Sequence, residues 1–218
     1  MMVENAHIYK YIKDYINEIP LINAKKGQLI SNAFDRDSQI YYIINGQIKV
    51  ETMSNTGKKI LVDTISENEF AGQISYMRNT NLYCDSIAST DVELLCLKDE
   101  MMNKLMKNSE FSTVFYYKTS NRIYKMYKKM LSNNLFSQCE LVSYYILDQS
   151  CMGKFIYKSI YDICENLNIS RRNLYNILNN FEKKGIIEKE KNGVFIIKDM
   201  YYLRDNSANV KMFLENQF

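Results

Sequence analysis

Tyr157–Asp199 reads YKSIYDICENLNISRRNLYNILNNFEKKGIIEKEKNGVFIIKD, and this stretch decides the fold of the C-terminal third. It divides by periodicity into helix, turn, helix and hairpin. Ile160, Ile163, Cys164 and Leu167 recur at helical spacing and predict a first helix over about 159–166 with those side chains inward. Asn168 and Ile169 make the turn. Ser170 is a good N-cap, because its hydroxyl can accept an amide proton that the first turn of a helix leaves unpaired. A second helix over about 171–184 buries Leu174, Ile177, Leu178 and Phe181, while its polar side begins with Arg171, Arg172, Asn173 and Asn176. Gly185 suits the left-handed position that closes a helix. Two apolar-rich runs then flank Asn192-Gly193, a strong hairpin pair, which completes a winged helix-turn-helix.

A helix that enters the major groove needs base-reading side chains at its N-terminal end and an apolar back to hold its angle. Arginine can bond guanine through two donors, and asparagine can bond adenine in the same two-point way. Arg171, Arg172, Asn173 and Asn176 are therefore the expected base readers. Segment 154–198 holds nine Lys or Arg against five Asp or Glu, a local excess hidden by a chain-wide charge of only +3. Lys158, Lys183, Lys184, Lys189 and Lys191, with Ser170 and Tyr175, are expected phosphate contacts, which set register without reading sequence. Any one of these lysines alone reads as a solvated surface charge. The same winged shape also serves as a protein-interaction module, so the alternative is a ligand-binding sensor whose winged domain contacts protein.

Working outward, period-two runs occupy about 27–97: 39–44, 47–51, 59–63 and 92–97, with Asn45-Gly46 and Asn55-Thr56-Gly57 as turns. Short strands with regular turn signals indicate a jelly-roll-like β-roll, a double-stranded β-helix. A short helix over about 4–16, closed by Pro20, precedes it. After Asp99 the period becomes helical. Phe111, Val114, Phe115, Thr119, Ile123, Met126 and Met130 form one stripe over about 110–131. That stripe either packs on its own roll or forms a seam between two subunits. Ser132-Asn133-Asn134 are poor helix formers and read as a hinge. The expected class is α+β, divided into a roll (1–109), a dimerisation helix with hinge (110–134) and a winged domain (135–218).

At 218 residues and 46% hydrophobic, the chain can bury two modest cores. Its first residues lack a secretory pattern and no apolar run reaches membrane-spanning length, so a cytoplasmic protein without membrane contact is expected. Cys84, Cys96, Cys139, Cys151 and Cys164 are an odd set without metal-ligand spacing, which points to reduced thiols, no metal and no disulfide framework. A single histidine, His7, and no paired carboxylates or phosphate-cradling loop argue against an enzyme.

The order of roll, long helix and winged helix-turn-helix resembles the Crp/Fnr family of transcriptional regulators. The resemblance is carried by Asp162–Leu174, Ile177-Leu178, Lys184–Ile187 and the roll's Lys26-Gly27, Asn45–Val50, Asn55–Gly57 and Phe70–Gln73. Asn68 replaces one turn glycine of that pattern. The resemblance implies a homodimer on a near-palindromic operator, with RNA polymerase as a partner. It also implies that Arg171 reads guanine, while Arg172 and Asn176 depart from the family and alter the operator.

The cyclic-nucleotide-binding members carry a glutamate and an Arg-Ser pair where this chain has Gln73, Tyr83 and Cys84. Without that cation a cyclic phosphate loses its charge-assisted contact, so cyclic AMP is not expected. No N-terminal cysteine cluster for iron and sulfur is present, and no cofactor is expected. The effector pocket would lie around Gly72, Gln73, Tyr83 and Cys84, closed by Tyr124 and Tyr127. It takes an unidentified small molecule or nothing, with Cys84 as a redox switch the third alternative.

Overall fold

The computed structural model describes residues 2–32, 39–53, 55, 57, 59–78 and 84–215. Two compact units divide the chain, residues 1–124 and 125–218.

The first unit opens with a turn of 3-10 helix, helix α1 (Tyr9–Ile12) and a second 3-10 segment, Lys13–Glu18. The expected single helix over 4–16 is thus broken into three short pieces. Strands β1 (Leu21–Ala24), β2 (Leu29–Ser31), β3 (Ile40–Asn45), β4 (Gln47–Met53), β5 (Lys59–Ser66) and β6 (Phe70–Ala71) follow. Helix α2 (Gln73–Arg78), strands β7 (Asp85–Ala88) and β8 (Val92–Leu97), and helix α3 (Asp99–Leu105) complete the roll. Its two antiparallel sheets run β1-β8-β3-β6 and β2-β7-β4-β5.

Strand alternation sorts two cores. Tyr41, Ile43, Leu94 and Cys96 face Ile48, Ile65 and Ala88 of the other sheet. Their neighbours Ile40, Tyr42, Leu95 and Leu97 face outward into Ile8, Ile12, Met102, Phe111 and Phe115. Both faces of β3 are covered, which is why it is nearly continuously apolar. Two turns are sharply constrained. Gly46 has φ +87°, and a Cβ there would run into the Asp91 carbonyl oxygen. Asn68 stands at φ 61°, the left-handed conformation that asparagine tolerates.

Helix α4 (Ser109–Leu135) is unbroken. Phe111, Phe115 and Thr119 are buried, so the first half of the expected stripe packs on its own roll. The alternative of a seam along the whole of 110–131 is corrected accordingly. Beyond Thr119 the helix exposes Ile123, Tyr124, Tyr127 and Met130. Ser132-Asn133-Asn134 do not interrupt it. The Ser132 hydroxyl donates to the Lys129 carbonyl (2.8 Å) and the Asn134 amide to Met130 (3.1 Å), so these polar side chains bond back onto their own helix.

The second unit contains α5 (Gln138–Asp148), β9 (Ser150–Cys151), β10 (Lys154–Ile156), α6 (Ile160–Leu167), α7 (Arg171–Lys183), β11 (Ile187–Lys191), β12 (Val194–Ile197) and α8 (Met200–Glu215). Its sheet runs β11-β12-β10-β9. Ser137 and Glu140 form a reciprocal capping box at the start of α5. Val142, Ile146, Phe155, Ile163, Leu174, Leu178, Phe181, Phe195 and Leu203 make one core. Each such side chain contributes about 1.5–3 kcal/mol on burial.

Candidate nucleic-acid interface and effector pocket

Helix α7 is fixed at both ends and along its back. Ser170 accepts from the Asn173 amide (3.2 Å), as its sequence position predicts. Gly185, at φ 69°, closes the C-terminus: its amide donates to Glu182 (2.9 Å) and that of Ile186 to Phe181 (2.9 Å), the paired bonds of a Schellman turn. Leu174, Leu178 and Phe181 are buried against α6 and the sheet. Helix α6 is capped by Ser159, which accepts from Tyr161 and Asp162. The connecting turn passes through Asn168 in the left-handed conformation, with Ile169 buried beneath it.

With its back anchored, α7 presents Arg171, Arg172, Asn173 and Asn176 to solvent at its N-terminal end. Two of them have partners. The Arg171 guanidinium lies over the Tyr161 ring, 4.7 Å from its centroid, and its Nη1 donates to the Tyr161 hydroxyl at 2.7 Å. Asn173 donates through its side-chain amide to Gln138 (3.2 Å). Neither Tyr161 nor Gln138 is among the residues picked from sequence. The only available signal for Tyr161 is a large aromatic on the polar side of the first helix.

Lys158, Ser170, Tyr175, Lys183, Lys184, Lys189 and Lys191 are all exposed. Lys158, Lys183, Lys189 and Lys191 make no ion pair among the described residues. Other lysines of the wing sheet are engaged: Lys154 donates to both oxygens of Glu190 (2.9 Å) and Lys198 pairs with Glu188 (2.6 Å). These exposed pairs add little stability but neutralise the acids of β11, leaving the wing's field to Lys189 and Lys191. The wing turn is seated, since Tyr157 donates its amide to Gly193 (2.9 Å).

In the roll, Gly72 has φ +87° and lies against the Gln39 carbonyl, and Gln73 is 1% exposed. Gln73 Nε2 has no hydrogen-bond partner among the described residues. A buried amide left so costs about 1–3 kcal/mol. Cys84 is half-buried, and burial pushes its thiol pKa up, although a hydrogen bond with Thr52 opposes this. Such a thiol is a poor redox switch, because the reactive species is the thiolate. Tyr83 lies outside the described residues. Tyr124 and Tyr127 are both about half exposed on α4, at 50% and 54%.

The helix also meets the roll through two residues that sequence reading missed. Arg122 donates from Nε to Asp63 (2.6 Å) and from Nη1 to the Phe70 carbonyl (2.5 Å). Lys118 donates to the Asn68 carbonyl (2.7 Å) and to Glu69 (3.3 Å). Both cations are committed to the protein's own oxygens.

The chain thus joins a two-sheet roll to a long helix and then to a winged helix-turn-helix with an exposed polar helix face. Residues 21–109 match the cyclic nucleotide-binding domain family. The chain is similar in structure to a protein of Eubacterium rectale assigned to the Crp/Fnr transcriptional regulators, with 17% identity and TM-score 0.71 over 91% of this chain and 93% of that one. It is similar to the c-di-GMP responsive global regulator CLP of Xanthomonas campestris, at 12% identity and TM-score 0.73 over 86% and 98% of the two chains. A Crp/Fnr-family regulator of Thermus thermophilus gives 14% identity and TM-score 0.66 over 87% and 98%. No curated protein matches the chain by sequence. The chain has the fold of the Crp/Fnr transcriptional regulators, and the resemblance read from its sequence is supported. No helix among the described residues is long and apolar enough to cross a membrane.

Proposed function

We propose that this chain is a homodimeric, sequence-specific DNA-binding transcriptional regulator that reads a near-palindromic operator. The observation that carries the reading is α7, capped by Ser170, buried along its back and exposing Arg171, Arg172, Asn173 and Asn176 at the end that would enter the major groove. Lys158, Ser170, Tyr175, Lys183, Lys184, Lys189 and Lys191 are exposed on the same unit and supply phosphate contacts. The apolar second half of α4 supports pairing with a second copy, which would set two recognition helices about 34 Å apart.

The effector is something other than cyclic AMP, or there is none. Arg122 and Lys118 are already held by Asp63, the Phe70 carbonyl, Glu69 and the Asn68 carbonyl, so neither offers a free cation to a cyclic phosphate. Gln73 Nε2 supports a neutral acceptor, such as a carbonyl or hydroxyl oxygen, as its partner.

The test is selection of bound fragments from random DNA, run with and without a metabolite extract. A two-fold-related site with salt-dependent retention is expected. Arg171→Ala should weaken binding to that site by about 1–3 kcal/mol and relax the preference at one base. Failure to retain any fragment at low salt turns the reading towards a sensor whose winged domain contacts protein.

A further inference from the structure

The geometry points to Tyr161 as the residue that positions Arg171 for guanine, which makes it a specificity determinant of the base-reading face. This rests on the DNA-binding reading above. Tyr161 is the second residue of α6 and Arg171 the first of α7, so the two helix starts of the helix-turn-helix are bridged by one side-chain pair. The pair combines two interactions of different direction. The ring supports the flat face of the guanidinium at 4.7 Å, and the hydroxyl takes the Nη1 proton at 2.7 Å. Together they fix both the plane of the guanidinium and its rotation in that plane.

The donors that remain are the ones a guanine needs. Arginine has five N–H groups in a fixed fork. With Nη1 turned to Tyr161, the Nε and Nη2 edge points away from the tyrosine hydroxyl and is free to meet O6 and N7 together. Neither side chain is buried, so packing does not immobilise Arg171 at the helix start. The tyrosine does it instead, before DNA arrives. Loss of the tether then appears as the cost of ordering the arginine on binding, not as a lost contact to DNA. Arg172, one residue on, has no tether of this kind among the described residues.

The experiment is a thermodynamic cycle on the wild-type chain and four variants: Tyr161→Phe, Tyr161→Ala, Arg171→Ala and the double Tyr161→Ala/Arg171→Ala. Affinity is measured on the selected operator and on one with the Arg171-dependent guanine replaced. Tyr161→Ala should lose roughly 2- to 12-fold on the guanine operator, from the cost of immobilising one long side chain. Tyr161→Phe, which keeps the ring, should lose less. Neither should change affinity on the replaced operator, and Tyr161→Ala should add nothing once Arg171 is alanine. Equal losses on both operators, or a full loss in the Arg171→Ala background, would overturn the inference and make Tyr161 a contact in its own right. No loss in any background overturns it too. Thermal unfolding of each variant separates folding from binding. If the wild-type chain selects no DNA at all, the regulator reading fails as well; if it selects DNA and only the Tyr161 cycle is flat, the inference alone fails.

Discussion

Arg171 and Arg172 are neighbours of identical chemistry held differently, and only the first was distinguishable by what surrounds it in space. Sequence marks both as the start of a polar helix face, because cap, period and charge are local signals. The tether to Tyr161 is not local: the two residues are ten apart and meet only because the turn at Asn168 aligns two helix starts. Gln73 was marked in the sequence as a departure from the Crp/Fnr pattern, and it is buried. The committed cations were not legible there, since Arg122 and Asp63 lie 59 residues apart. The cysteines give a test at this scale. Burial raises the thiol pKa of Cys84, Cys96 and Cys164, whereas Cys151 is exposed. A raised pKa means less thiolate at neutral pH and slower alkylation. Limiting iodoacetamide at about pH 7.5, read by peptide mass spectrometry, should label Cys151 well before those three. Early labelling of Cys84 would restore it as a redox candidate.

Among the elements, those with long contrasting periods were readable and those without were not. The helix over 171–184 was expected within a residue of α7, because its apolar back and polar front differ sharply. The strands β9 and β10 are two and three residues long, too short to show a period. Helix α8 buries Leu203, Ser207 and Val210, so one position in its inward row is a serine that bonds back to Leu203 and its apolar signal is diluted. The wing was legible from Asn192-Gly193 alone, but not its seat. Gly193 stands at φ +79°, and a Cβ there would come within 2.7 Å of the Tyr157 carbonyl oxygen. Gly193→Ala should therefore disturb both the left-handed backbone and the Tyr157–Gly193 bond. A loss of about 1–3 kcal/mol in unfolding free energy is expected from strain of this kind. Denaturant melts should show it. A stability within about 0.5 kcal/mol of the parent would mean that the turn yields without cost.

For the whole molecule, helix α4 carries the consequence, because its buried and exposed faces serve different surfaces. Its first half is spent on the roll through Phe111, Phe115 and Thr119. Along its outer face, Tyr116, Ile123, Tyr127 and Met130 are exposed, and with Ser120 between the first two they follow the alternating four and three spacing of a two-stranded seam. The helix is 27 residues, about 40 Å, so this row is long enough for several interlocking turns with a second copy. Of the stripe expected over 110–131, Phe111, Phe115 and Thr119 are covered by the chain's own roll. Periodicity records which positions are apolar and does not say which surface covers each one. Replacing Ile123 and Tyr127 together by aspartate puts like charges on facing positions without touching the cores of either unit. Light scattering should then give the monomer mass, with helical circular dichroism unchanged. Operator affinity should fall by at least about 100-fold, because the second half-site no longer binds at the high local concentration that linkage provides. A dimer that survives both aspartates places the seam elsewhere. A monomer that keeps full operator affinity removes the need for paired half-sites and, with it, the reason for reading the operator as a near-palindrome.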